Sequence, residues 1–389
     1  MKDVVIVAAA RTAIGRSPKG TLRQMRPDDL AAVAIRAALG RAPGLEAGAI
    51  DDVILGCATP EMEQGFDVAR IAALRAGLPN SIPAVTLNRF CASGLEAIAV
   101  GAAKIAAGQA DVVIAGGTES MTMVPFMGET LRPNPTLAST APNTYLNMGL
   151  STELVAKEHG ITREAADMFA LESHRKAVEA RDSGRFDAEV VPLTATITDA
   201  ETAAVSEVEF RRDEGPRPET SMEVLAKLKA AFSETGVITA GNASQRSDGA
   251  AAVVLMSLDR AQALGLKPLA RFAGYTVVGV APEEFGIAPA YAIPKLLKGT
   301  GKSIDDIDLI ELNEAFAAQV LASDKLFELP MDRVNVNGGA VALGHPLGAT
   351  GARQTVTLLH EAARRGSKWG LVSMCAALGM GAAGLFEFD

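Results

Sequence analysis

Residues 50–55 read Ile50-Asp51-Asp52-Val53-Ile54-Leu55, and residues 304–310 read Ile304-Asp305-Asp306-Ile307-Asp308-Leu309-Ile310. The second string echoes the first. Each runs into a strand pattern, Asp52–Gly56 in one half and Asp308–Leu312 in the other. In each half a helix pattern follows, then a strand pattern, then a turn that opens a long helix. Cys91 follows Ile50 by 41 residues, and His345 follows Ile304 by 41. If the halves are duplicated units, Cys91 and His345 occupy matching strand-to-helix turns, and a pseudo-twofold brings both turns to one face.

Outward from these strings the same rhythm continues. In the first 117 residues Val4–Val7, Ala84–Leu87 and Asp111–Gly116 also read as strands. Asp28–Leu39, Phe66–Ala76 and Ala92–Ala107 read as helices. The first of these follows Pro27 and carries acidic residues in its first turn. The last 120 residues repeat the alternation. Strands read as Ala270–Val280, Val334–Asn337, Gly370–Met374 and Gly384–Phe388, and helices as Ala292–Leu297, Ala317–Phe327 and Gly351–Arg365. Alternating strands and helices imply an α/β core with a mostly parallel sheet.

The middle differs. Met121–Asn147 is rich in Pro, Asn, Thr and Met and reads as a long loop. Ser151–Glu158 and Arg163–Ala180 read as helices, Glu189–Pro218 as irregular and polar, and Met222–Ala231 as a short helix. Long loops in a compact protein are commonly functional. We therefore divide the chain into an N-terminal core half at 1–117, completed by about 246–266, a lid at 118–245, and a C-terminal core half at 267–389.

Composition narrows the function. The chain has 389 residues, 48% hydrophobic and 21% charged, which excludes a disordered chain. Aromatics are only 4%, so small residues carry much of the packing. Lys+Arg is 37 against 46 Asp+Glu, a net charge of −9, which argues against nonspecific nucleic-acid binding. The most apolar long stretch, 97–117, is broken by Lys104 and Asp111 and does not read as a membrane span. No secretory pattern precedes Val4, and the cytoplasm is the expected location. Cys57, Cys91 and Cys375 are odd in number and widely spaced, so neither a disulfide framework nor a structural zinc site is expected.

Four residues are candidates for chemistry. Cys91 ends an extended run and opens a helix of small residues. There the helix dipole and free N–H groups favour a thiolate and can hold an oxyanion. A small buried thiol between strand and helix fits the position equally well. His345 lies in a segment, 338–351, with five glycines, whose tight turns bring a histidine and amides close to a ligand. A phosphate-cradling loop is a competing reading, but the Walker Gly-Lys-Ser/Thr ending is missing. Cys375 ends another strand and could carry a proton; taken alone it reads as a core cysteine. Asn313 follows the strand 308–312, where it could orient a water or carbonyl; on spacing alone it reads as an N-cap. The remaining histidines, His159, His174 and His360, show no metal-ligand spacing, and no metal is expected.

Together these segments resemble the thiolase family over essentially the whole chain. The resemblance rests on six motifs in the family's order: 88–95 (Asn-Arg-Phe-Cys-Ala-Ser-Gly-Leu), 116–121 (Gly-Gly-Thr-Glu-Ser-Met), 239–244 (Thr-Ala-Gly-Asn-Ala-Ser), 313–316 (Asn-Glu-Ala-Phe), 344–348 (Gly-His-Pro-Leu-Gly) and the Cys375 turn. It implies a five-layered α-β-α-β-α fold with duplicated core halves and an inserted lid domain. It also implies ping-pong acyl transfer on 3-ketoacyl-CoA, acetyl-CoA and CoA, with CoA a substrate rather than a tightly bound cofactor. Cys91 would be the nucleophile, His345 its base and Cys375 the acid that protonates the leaving acetyl-CoA carbanion. Asn313 would hold a water in one oxyanion site, and the N–H groups of Cys91 and Ala377 would form the other. Arg217 would lie near the CoA nucleotide, Phe232 and Ser244 along the pantetheine, and Met148 and Phe316 at the acyl end.

The chain departs from the family pattern in two places. Many members have glycine where Ala377 stands, and its methyl group could crowd the thioester. Short-chain synthetic members often carry His-Met-Gly where this chain has Asn147-Met148-Gly149. With Asn88-Arg89-Phe90, that favours a degradative 3-ketoacyl-CoA thiolase of the β-oxidation type. The alternatives are a biosynthetic acetyl-CoA acetyltransferase and, more remotely, a non-catalytic acyl-CoA-binding protein. A homodimer or homotetramer is the expected assembly.

Overall fold

The computed structural model describes residues 2–126 and 128–388. Its core is a strand order used twice. In the N-terminal half the strands lie side by side as Ala84–Leu87, Asp52–Gly56, Val112–Ser120, Ser247–Ser257 and Val4–Thr12. The first three are parallel, and Ser247–Ser257 is antiparallel to both of its neighbours. In the C-terminal half the order is Val334, Leu309–Leu312, Trp369–Ala376, Met380–Glu387 and Ala270–Gly279, with the same pattern of directions. The two half-sheets touch where Val5 and Ile6 pair with Arg271 and Ala270.

The faces of these strands sort side chains into three helical layers. Successive strand residues point to opposite faces. Val5 and Val7 pack outward with Leu30 and Ile35 of the helix Pro27–Gly40. Ile6 packs inward with Leu95 and Ile98 of the helix Ser93–Ala106. Val372 and Met374 of the other half-sheet join that same inner cluster, with Val356 and Leu359 of the helix Leu347–Arg365. Leu371 faces the opposite way, onto Ile293 and Leu296 of the helix Pro289–Thr300. Helix, sheet, helix pair, sheet and helix therefore stack in five layers, as expected. Each fully buried Leu, Ile or Val contributes roughly 1.5–3 kcal/mol.

The central helices pack backbone to backbone. A Cβ on Gly94 would lie 2.7 Å from the Ala352 nitrogen and 2.9 Å from the Gly348 oxygen. A Cβ on Gly351 would lie 2.5 Å from the Leu95 nitrogen. Glycine at both crossings brings the two helix starts together, with Cys91 two residues before one and His345 two residues before the other.

The duplication is real, but the echo read from sequence is three residues out of register. Asp51 accepts from the N–H groups of Asp111 (2.7 Å) and Val112 (2.9 Å). Asp308 accepts from those of Lys368 (2.7 Å) and Trp369 (2.9 Å). Ile307, not Ile304, thus takes the place of Ile50. Ile304–Asp306 forms a 3-10 turn matching Ala47–Ala49. The Cys91–His345 correspondence survives because a shorter connection in the second half absorbs the difference.

Two other expectations change. Val334–Asn337 makes only the single bridge from Val334 to Ile310. Asn335 turns into the left-handed region at φ 46°, and its side-chain amide bonds both the N–H and the C=O of Leu312, imitating a strand neighbour. Glu189–Pro218 is not irregular. It contains an antiparallel hairpin, Leu193–Thr198 against Val205–Phe210. Over the core lie the helix Met148–Glu158, capped by Asn147, and the helix Arg163–Asp182, capped by Thr162. Among the described residues no helix is long and apolar enough to cross a membrane.

Candidate active site

Cys91 sits in a tight turn, Phe90–Ala92, between the strand Ala84–Leu87 and the first central helix. Asn88 shapes the turn. Its Oδ1 accepts from the Phe90 N–H at 2.7 Å, and its amide donates to the Ala58 carbonyl at 3.0 Å. Phe90 adopts φ 47°, a left-handed conformation unusual for a bulky residue. The thiol is 2% exposed. Burial pushes it up to about 12, the charge of Glu119 adds to this, and the N–H groups of Cys91 and Ala377 oppose it. The expected pull toward thiolate is present but loses to desolvation, so the resting group is a thiol.

His345 stands at the start of the second central helix. Its N–H donates to the Gln245 carbonyl at 3.0 Å. Thr350 donates its hydroxyl proton to the Pro346 carbonyl at 2.9 Å, so its oxygen accepts from His345 Nδ1 at 2.6 Å. This network assigns the proton to Nδ1 and leaves a lone pair on Nε2, which faces the Asn313 amide nitrogen at 3.2 Å. Burial, helped by Arg353, holds the imidazole down at about 3, so it is neutral at physiological pH, with Nε2 unprotonated. Asn313 is fully buried, and its Oδ1 has no protein partner. It does not act as an N-cap: the helix Ala317–Leu326 begins four residues later.

Cys375 ends the strand Trp369–Ala376 and is wholly buried among Phe285, Ala315, Met148 and Phe316. Burial and the nearby Cys91 raise it well above a normal thiol, so it keeps its proton. Ala377 presents its N–H to Cys91.

Two cavities meet at Cys91. One, of about 260 Å³, also holds His345, Ser244, Phe232, Met148 and Phe316, with Arg246 at its exposed rim. The other, of about 400 Å³, runs from Cys91 past Ala377 and Met148 toward Leu131 and Tyr145. The structure thus gathers Cys91, His345, Asn313, Cys375, Phe232, Ser244, Met148, Phe316 and Ala377 around one centre. Arg217 lines neither cavity; its backbone N–H donates to His174 Nδ1 at 3.2 Å.

Three supporting residues escaped the sequence reading. Thr350 is one. Glu119 is another: buried, it accepts from the N–H groups of Ala58 (2.8 Å), Thr59 (3.3 Å) and Gly348 (2.7 Å) and from Gln64 Nε2 (2.6 Å). It ties the loop after the strand Asp52–Gly56 to the start of the second central helix. Glu314, also buried, accepts from Ser173 (2.7 Å), Asn335 (2.8 Å) and the Val341 N–H (3.1 Å). Glu119 and Glu314 stand inside motifs quoted above. Their identity was visible, but their partners, up to 229 residues away, were not.

The sequence profile described as "Thiolase, N-terminal domain" matches residues 4–259, and that described as "Thiolase, C-terminal domain" matches 266–388. The chain belongs to the thiolase family. It is 50% identical to the 3-ketoacyl-CoA thiolase of Bacillus subtilis, over all of both chains. It is 46% identical to the peroxisomal 3-ketoacyl-CoA thiolase 5 of Arabidopsis thaliana, over 99% of this chain and 85% of that one. Among solved structures, the Bacillus anthracis acetyl-CoA acetyltransferase superimposes with a TM-score of 0.91 at 42% identity, covering 100% of this chain and 99% of that one. Human mitochondrial 3-ketoacyl-CoA thiolase gives 0.90 at 38%, with the same coverage. The five-layered arrangement of this thiolase is that of its family.

Proposed function

We propose that the protein is a 3-ketoacyl-CoA thiolase that cleaves its substrate to acetyl-CoA and an acyl-CoA shortened by two carbons. The observation that carries this is a neutral histidine whose unprotonated Nε2, held by the Asn313 amide, lines the same cavity as a buried thiol, with a second protonated thiol alongside. Nε2 of His345 takes the Cys91 proton as sulfur attacks the keto carbon. The bond between C2 and C3 then breaks, leaving an acyl thioester on Cys91. The electron pair departs with acetyl-CoA as an enolate, which Cys375 protonates. A CoA thiol next gives its proton to the Cys375 thiolate and attacks the thioester, and Cys91 leaves, recovering its proton from His345. Passing through a covalent intermediate replaces one hard step with two easier ones.

Charge builds on oxygen twice. Asn313, with a water, and His345 serve one oxyanion. The N–H groups of Cys91 and Ala377 serve the other, each donor being worth about 3–4 kcal/mol in such sites. The alanine at 377 still supplies its N–H. Phe232, Ser244, Met148 and Phe316 flank the thioester and pantetheine, with 118–245 as the lid above them. Arg217 lies outside both cavities and has less support as a nucleotide contact than Arg246 on the rim. CoA acts as a diffusible substrate, and we place the enzyme in the cytoplasm as a homodimer or homotetramer.

Mass spectrometry tests this directly. Mixing the enzyme with 3-ketoacyl-CoAs in the absence of free CoA should leave an acyl group on the Cys91 peptide, two carbons shorter than its donor. Binding without any adduct on Cys91 would refute the assignment. An adduct only from acetoacetyl-CoA would point to the synthetic acetyltransferase.

A further inference from the structure

The hairpin of Leu193–Thr198 and Val205–Phe210 is a sheet of two strands, so each strand has one unpaired edge. Leu193 and Ala195 pack into the core, while Thr194 and Thr196 are exposed. Gln24 marks the free edge of the first strand. Its Oε1 accepts from the Thr198 N–H at 2.7 Å, and its Nε2 donates to the Thr198 carbonyl at 2.9 Å. Thr198 therefore turns both backbone groups away from the second strand. In an antiparallel pair every second residue does the same. The N–H and C=O groups of Thr196 and Thr194 thus point to the edge that Gln24 occupies, and no other group among the described residues bonds them there.

Thr194 and Thr196 line one wall of a groove of about 660 Å³, which shares no lining residue with either cavity at Cys91. The other wall is the helix Pro27–Gly40, which presents Asp29, Val33, Arg36 and Ala37 along one face. Val33, Ala37 and Leu193 belong to the core cluster beneath or pack against it, so the base of the groove is apolar. Three arginines, Arg26, Arg36 and Arg75, line it against the single carboxylate of Asp29. Arg26 pairs with Asp28 and Arg75 with Asp29, yet their side chains stay 49% and 63% exposed. Arg36 pairs with no acid among the described residues; one of its nitrogens donates to the Arg75 carbonyl at 3.1 Å. The groove is thus a local excess of positive charge on a chain whose net charge is −9.

We infer that this groove binds an extended, acidic segment of a partner protein, which adds a third strand to the hairpin. An unpaired strand edge is a template for strand addition. The backbone of the segment pairs with Thr194 and Thr196. Its side chains alternate between the two faces of the new strand. One set meets the apolar base, and the carboxylates of the other meet Arg26, Arg36 and Arg75. Gln24 already makes at Thr198 the pair of bonds that the segment makes at Thr196, and so ends the added strand. A small anion would use the arginines but not the row of backbone groups.

The probe is a fluorescein-labelled heptapeptide that alternates glutamate and valine, titrated with the intact protein and followed by anisotropy. It should bind, less tightly as salt is added, and the same peptide with lysine in place of glutamate should not. Thr196→Pro removes the edge N–H without touching the bonds to the second strand, and should weaken binding about tenfold. Thr196→Val keeps that N–H and should bind as the wild type does. Arg36→Glu, on the opposite wall, tests the same groove without altering the strand and should also weaken binding about tenfold. Acylation of Cys91 and the oligomeric state should be the same in all three variants. A glutamate peptide that does not bind, or a lysine peptide that binds equally well, would overturn the proposal. So would sensitivity to Arg36→Glu without sensitivity to Thr196→Pro, which would reduce the groove to a simple anion site. A change of oligomeric state in Thr196→Pro would overturn it as well, by giving the edge to a second copy of this chain.

Discussion

His345 Nδ1 donates to Thr350 Oγ at 2.6 Å because the Thr350 proton is already committed to the Pro346 carbonyl at 2.9 Å. One hydroxyl thereby decides which nitrogen of the histidine is the base. Thr350→Val removes that anchor with little change in shape. We expect kcat for acylation to fall about 10–100-fold, less than the 10²–10⁴-fold expected for His345→Ala. Thr350→Ser should recover most of the loss. Single-turnover acylation of Cys91 measures all three; an unchanged Thr350→Val rate would show that the hydroxyl does not set the tautomer.

Alkylation kinetics report the resting state of Cys91. With the thiol pushed up to about 12 and the imidazole held down at about 3, neither group changes charge between pH 5.5 and 8.5. The thiolate fraction grows tenfold per pH unit well below such a thiol pKa. Inactivation of the free enzyme by iodoacetamide should therefore rise with pH and show no plateau below pH 9. A plateau beginning near pH 7 would reveal a preformed thiolate–imidazolium pair.

Glu119 predicts a loss of stability away from the reacting atoms. Glu119→Gln replaces a carboxylate oxygen with an NH2 group that faces N–H donors. At least one buried donor loses its acceptor, at a cost of about 2 kcal/mol. The urea midpoint should fall at constant m-value. Glu119→Ala, which strips all four donors, should fall further. Equal midpoints for wild type and Glu119→Gln would mean that the carboxyl is protonated and that the amide replaces it without loss.

Gly351→Ala tests the helix crossing. Its new methyl would lie 2.5 Å from the Leu95 nitrogen, inside contact distance with backbone that cannot rotate away. Separating the central helices should destabilise by about 1–3 kcal/mol. It should also cost more than tenfold in acylation rate, because Cys91 and His345 ride on opposite helices. Stability lost without loss of rate would show that the site tolerates a wider crossing.

The alternation of strands and helices was legible because hydrophobic periodicity and turn residues agree along most of the core. Cys91 and His345 were legible because one opens a helix of small residues and the other sits among glycines. The register of the repeat was not: Ile304 and Ile307 both resemble Ile50, and only the Asp308 contacts to Lys368 and Trp369 choose between them. The hairpin at Leu193–Thr198 and Val205–Phe210 was missed because its alternating residues are largely polar and exposed, which weakens the apolar signal. Thr350 was hidden for another reason. Its role follows from where a proton goes, and no pattern of side-chain types records that.

The pairing of two helix starts at Gly94 and Gly351 has a consequence for the field in the pocket. Each helix start carries roughly half a positive charge from its peptide units. An acidic protein thus presents a positive pole to the developing oxyanion, built from backbone rather than from lysine or arginine. Peptide groups do not titrate, and these are shielded from salt. The pole therefore persists unchanged across pH and ionic strength, leaving the histidine and the two thiols as the movable charges of the reaction.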